Sequence, residues 1–169
     1  MRYTPAAAAL SLLAAITAST SFSAAPAVPL DPRAAALVQQ GREVLATGNV
    51  DGAIDAYEAA YAVQPGHATI VLSLAEAARR QGLPGKALHY YRQVLTREPN
   101  NEYAISGEGA ALVEKGAVEK AKLNLARLET LCGKNCTPAK QLAAAIARGP
   151  APKVVTAEQV QSQPVVTTN

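Results

Sequence analysis

The chain has 169 residues, 49% of them hydrophobic but only 4% aromatic, so alanine, leucine and valine supply most of the apolar surface, favouring helices packed closely through small side chains. At this length one domain with a modest core is the natural count. Sixteen basic residues against thirteen acidic give a formal charge of only +3, and Arg79, Arg80, Lys86, Arg92 and Arg97 have few aromatics among them, which argues against a nucleic-acid partner.

Residues 1–27 read as an address. Arg2 supplies a positive start, residues 6–16 are apolar apart from Ser11, and small and polar residues such as Ser19, Ser21 and Ser23 follow. The apolar run falls well short of the roughly 20 residues that cross a bilayer, so a cleavable leader is expected, not an anchor. Ala25-Pro26-Ala27 fits the small-x-small cleavage rule and makes Ala27 the last residue removed. No cysteine lies nearby to carry a lipid. The mature chain is expected in the periplasm or secreted, opening with a short linker at 28–33.

Shifting the sequence by 34 positions aligns Gly41, Ala75 and Gly109, then Val44, Ala78 and Leu112, then Gly48, Gly82 and Gly116. The register continues through Ala53, Ala87 and Ala121, through Tyr57, Tyr91 and Leu125, through Ala60, Val94 and Leu128, and ends at Pro65, Pro99 and Gly133. With that period and those small, aromatic and proline columns, the chain resembles the tetratricopeptide-repeat family over residues 34–133. The resemblance implies an all-α solenoid of three helical hairpins, in repeats 34–67, 68–101 and 102–135, plus a capping helix.

Each column has an expected task. The small residues at 41, 75 and 109 let a first helix approach the second, which presents Ala53, Ala87 and Ala121. Tyr57 and Tyr91 fill the space between hairpins. Glycines 48, 82 and 116 take the left-handed conformation that ends a first helix, and Pro65 and Pro99 stop the second. The family's early tryptophan is absent, with Leu37, Val71 and Ile105 in its place. Repeat three, with Leu125 and Gly133, departs as a terminal unit would.

Cys132 and Cys136, the only cysteines, flank Gly133-Lys134-Asn135. In an exported chain a disulfide across that turn is the first reading, and it would fix the direction of the next helix. A redox pair and a metal site stay open as alternatives, although the spacing is not that of the redox motif and no histidine stands nearby. Thr137 is placed to cap a helix over 137–148 that starts with Pro138 and carries an Ala139, Leu142 and Ile146 stripe, with Lys140, Gln141 and Arg148 facing elsewhere. Residues 149–169 lack helical period and read as a disordered tail. Val154, Val155, Val160, Val165 and Val166 would let that tail lie in the chain's own groove.

Nothing in the pattern assembles a catalytic site. His67 and His89 have no serine, cysteine or acid placed to complete a triad, and there is no phosphate loop, paired-histidine motif or calcium loop. No enzymatic activity, cofactor or metal is expected. The resemblance implies a concave face lined by the first helices, with Val38, Arg42 and Leu45 from repeat one and Leu72, Glu76, Arg79 and Arg80 from repeat two. Repeat three adds Tyr103, Ser106, Ala110, Val113 and Glu114. An apolar floor near Arg42, Arg79 and Arg80 suits an extended peptide with an acidic group or a C-terminal carboxylate.

Some co-chaperones of the family clamp such a carboxylate with a lysine and asparagines. Val38 and Arg42 stand at the first two of those positions, so that clamp is not carried over. The expected role is a non-enzymatic adaptor in the cell envelope, with a pilus or secretion assembly helper as the nearer alternative. A thiol-redox protein using Cys132 and Cys136 is the alternative from another class.

Overall fold

The computed structural model describes residues 28–150, which form seven α-helices and no strand. They are α1 (Pro32–Ala46), α2 (Val50–Val63), α3 (Ala68–Arg80), α4 (Pro84–Arg97), α5 (Glu102–Glu114), α6 (Val118–Cys132) and α7 (Thr137–Arg148). The expected leader, and the expected tail beyond Pro150, lie outside the described residues.

Local chemistry sets the helix starts. The Asp31 carboxylate accepts from the backbone N–H of Arg33 at 2.8 Å, which begins α1 at Pro32, two residues before the expected repeat. Asn49 and Asn101 do the same for α2 and α5, each accepting from the backbone N–H three residues on at 2.9 Å. His67 caps α3 through Nδ1, which accepts from the Thr69 N–H at 3.3 Å, while Nε2 meets the Val28 carbonyl at 3.0 Å. With Nδ1 accepting, Nε2 is the nitrogen that carries the proton. Gln64 also ties this segment down, accepting from the Asp31 N–H and donating to the Pro29 carbonyl.

Helix ends follow from the glycines. At Gly82 and Gly116, with φ of 73° and 80°, the chain turns left-handed. The Leu83 N–H then reaches back to the Ala78 carbonyl, and the Ala117 N–H to that of Leu112, at 2.9 and 2.8 Å. These six-to-one bonds satisfy carbonyls that a helix end leaves without partners. The expected Thr137 cap is not formed. Thr137 is the first helical residue of α7, Cys136 occupies the capping position, and no side chain accepts there.

Helices α1 and α2, α3 and α4, and α5 and α6 pack as successive hairpins, with α7 against α5 and α6. Two apolar clusters make the core. One gathers Val38, Tyr57, Ile70 and Leu74, the other Tyr91, Ile105, Leu128 and Leu142, and Tyr61 and Tyr90 pack against both. Helix α5 is the most enclosed, with eight buried residues, because α7 covers a face that would otherwise end the stack.

The small columns work differently from expectation. A side chain at Gly41 would run into the Tyr57 ring, one at Gly107 into Tyr91, and one at Gly109 into Leu142. The glycines are thus notches that admit a large side chain, and Ala53 and Ala121 are not what fills them. Tyr57 lies over a glycine of its own hairpin, whereas Tyr91 crosses from α4 to α5 between hairpins.

Candidate ligand groove

The first helices of the three hairpins and α7 line one continuous groove with two compartments. The first, about 580 Å³, is bounded by Arg42 and Leu45 of α1, Tyr57 of α2, Leu72, Glu76 and Arg80 of α3, and Tyr103 of α5. The second, about 460 Å³, shares Leu72, Glu76 and Tyr103 and adds Arg79, Ala110 and, from α7, Gln141, Ala144 and Arg148. Tyr103 stands at the junction with 63% of its surface exposed, an aromatic side chain left open to solvent.

Between the compartments lies a charge network that is already satisfied. Arg79 Nη1 donates to Glu76 Oε2 at 2.9 Å, and its Nε and Nη2 donate to Glu114 Oε1 at 3.0 and 2.5 Å. Arg80 Nε donates to the other Glu76 oxygen at 3.2 Å. Burial works against the Arg79 charge, but the Glu114 hydrogen bond and the Glu76 charge outweigh it and hold the guanidinium protonated more firmly than usual. Beneath it, burial pushes the Tyr91 phenol up to about 12. Burial also raises the Tyr57 phenol, with the nearby Arg42 and Arg80 charges pulling the other way.

Two arginines of the groove are different. Arg42 and Arg148 are exposed, and among the described residues neither makes an ion pair.

Of the residues expected to line the groove, Arg42, Leu72, Glu76, Arg79, Arg80 and Tyr103 come together there. Three others are not available to a partner. Val38 and Val113, each 2% exposed, belong to the two core clusters, packed among the side chains of neighbouring helices. Ser106 borders the second compartment but is buried, and its hydroxyl donates to the Pro138 carbonyl at 2.9 Å, so it anchors α7.

Gln141 and Arg148 are exposed and off the apolar stripe of α7, as expected, but sequence reasoning missed that this exposed face forms a wall of the groove. A signal was available. Gln141, Ala144 and Arg148 fall 34 positions after Gly107, Ala110 and Glu114, so α7 is in register as a fourth first helix.

At the far end of α6, Cys132 and Cys136 bring their α-carbons to 5.8 Å. The Glu102 carboxylate lies beside both sulfurs, within 4.8 Å. His67 is engaged in capping α3 and holding Val28, and among the described residues no groove hydroxyl is hydrogen-bonded to a side-chain base.

Comparison with known proteins agrees with this architecture. A tetratricopeptide-repeat family model matches residues 38–102 and, overlapping, 72–127. Among solved structures, the first repeat domain of Spaghetti (RPAP3) bound to an HSP90 peptide, SRMEEVD, is 22% identical with a TM-score of 0.61, covering 73% of this chain and 97% of that one. The first repeat domain of human RPAP3 is 22% identical with a TM-score of 0.59, covering 69% and 94%. The Sgt2 repeat domain from Aspergillus fumigatus is 21% identical with a TM-score of 0.62, covering 75% and 91%. At such identities these likenesses speak to fold alone. No curated protein matches the sequence. The family model spans more than half of the residues, and its period is the one the hairpins repeat: the chain belongs to the tetratricopeptide-repeat family.

Proposed function

We propose that this protein is an exported adaptor that holds an extended segment of another envelope protein in the groove between Arg42 and Arg148. Family membership makes it a protein-interaction module, and such modules are typically not enzymes. The observation that carries the proposal is the groove itself, an apolar floor of Leu45, Leu72 and Tyr103 below exposed arginines. A fold relative solved with a bound peptide supports the mode, although Val38 and Arg42 stand here at the first two positions of the family's carboxylate clamp.

The envelope rests on the leader-like residues 1–27 and on the cysteine pair, whose separation suits a structural disulfide. The pair then serves to brace α7, and thiol exchange is not its task.

A photo-crosslinking residue placed at Leu72, inside the groove, or at Leu123, exposed on α6 away from it, tests the reading in intact cells. The groove position is expected to capture a discrete envelope protein, and Arg42→Glu to abolish that capture. Equal capture from both positions would overturn the groove. A purified mature chain that does not begin at Val28 would correct the proposed cleavage site, and one that retains residues 1–27 would remove export.

A further inference from the structure

We infer that the groove selects a segment with two acidic side chains, one for Arg42 and one for Arg148, separated by an uncharged apolar stretch. This rests on the groove being the binding surface and adds the chemistry of its occupant. Four arginines face the groove, and two of them, Arg79 and Arg80, are bound to Glu76 and Glu114. A carboxylate arriving at the centre would have to displace Glu76 or Glu114 from bonds already made, and it would meet both of those negative charges. At either end it meets an arginine with no partner among the described residues.

The centre wants something else. Leu72 and Tyr103 line both compartments, and Ala110 and Ala144 continue the floor towards α7. Those surfaces favour an apolar side chain, whose burial supplies the affinity while the terminal charges set orientation and register.

The span follows from helix packing. Arg42 lies on α1 and Arg148 on α7, three steps along the row of first helices, each step about 8–10 Å. An extended peptide rises about 3.3 Å per residue, so the two acidic positions should be roughly seven to nine residues apart.

Three nine-residue peptides, blocked at both termini and bearing a central leucine, provide the probe. One has glutamate at both ends, one glutamine and one lysine. Titrated by fluorescence anisotropy against the full mature chain, the glutamate peptide is expected to bind about tenfold more tightly than the glutamine one. Arg42→Glu and Arg148→Glu should each remove most of that advantage. The doubly reversed chain should prefer the lysine peptide, an outcome that misfolding cannot produce. Added salt should narrow the difference, since both arginines are exposed.

Equal binding of the glutamate and glutamine peptides would overturn the inference. So would equal binding of a glutamate peptide with its acids only four residues apart. Self-association abolished by Arg42→Glu would make a second copy of the chain the occupant. Should Leu72 still capture a partner in cells while no acidic peptide binds, the inference fails and the groove remains. Loss of capture as well would remove both.

Discussion

Gly41 and Gly109 occupy the same column of the repeat, yet they receive different guests. Over Gly41 lies Tyr57, from the second helix of the same hairpin, a residue only 1% exposed. Over Gly109 lies Leu142, from α7, the helix that follows the third hairpin. The repeat thus specifies a notch, and the nearest large side chain fills it. Repeat three lacks the tyrosine, having Leu125 there, so its outer joint is closed from the other side by α7, which has no hairpin partner among the described residues. The first joint is internal to a hairpin, whereas the last depends on the docking of α7.

Removing the guest at the last joint breaks the comparison most sharply. Leu142 is fully buried, and Leu142→Ala leaves an empty notch above Gly109, a change expected to cost about 3 kcal/mol. Because α7 carries Gln141, Ala144 and Arg148, the second compartment of the groove should go with it. Urea unfolding measures the stability, and amide exchange along α7 its docking. Exchange that stays as slow as in the parent would show that Ser106 and the α6–α7 turn hold the helix without Leu142.

Filling the two notches sharpens the comparison further, with smaller effects. A Cβ on Gly41 would lie 2.3 Å from a Tyr57 ring atom, and one on Gly109 would lie 2.6 Å from a Leu142 methyl. A buried ring cannot yield, whereas a leucine at the edge of the stack can shift with α7. Alanine in a helix gains about 1 kcal/mol over glycine, and overpacking costs about 1–3 kcal/mol. Gly41→Ala should therefore lose roughly 1–2 kcal/mol and Gly109→Ala come out near neutral. The reverse order in thermal or urea unfolding would mean that the first joint is the looser one.

These joints also show what a sequence can and cannot reveal. Period and residue size were legible, because they are local properties, and they led directly to the hairpins and to the turns at Gly82 and Gly116. The identity of the guest was not, since a small residue records that something comes close without saying what. The groove divides in the same way. Arg42, Leu72, Glu76 and Tyr103 were legible as a face of the first helices. Val38 and Val113 lie on a similar face but are covered, and only the packing of neighbouring helices decides that. Arg148 was readable in principle through its 34-residue offset from Glu114. It was missed because α7 reads as a single capping helix, and its apolar stripe does not say that its exposed face borders a groove.

The smallest effect belongs to the cysteines, and it tests whether the last joint is held by packing or by covalent bracing. The loop between Cys132 and Cys136 is so short that closing it restricts the unfolded chain by no more than about 2 kcal/mol. Leu142 over Gly109 and the Ser106 bond to the Pro138 carbonyl already position α7, so part of that constraint is redundant. Replacing both cysteines with serine should lower stability by about 1 kcal/mol. Faster amide exchange should be confined to residues 133–148, leaving α1 to α4 as in the parent. Exchange that quickens evenly along the chain would mean that the brace supports the whole stack, and the distinction between an internal joint and a docked one would be lost.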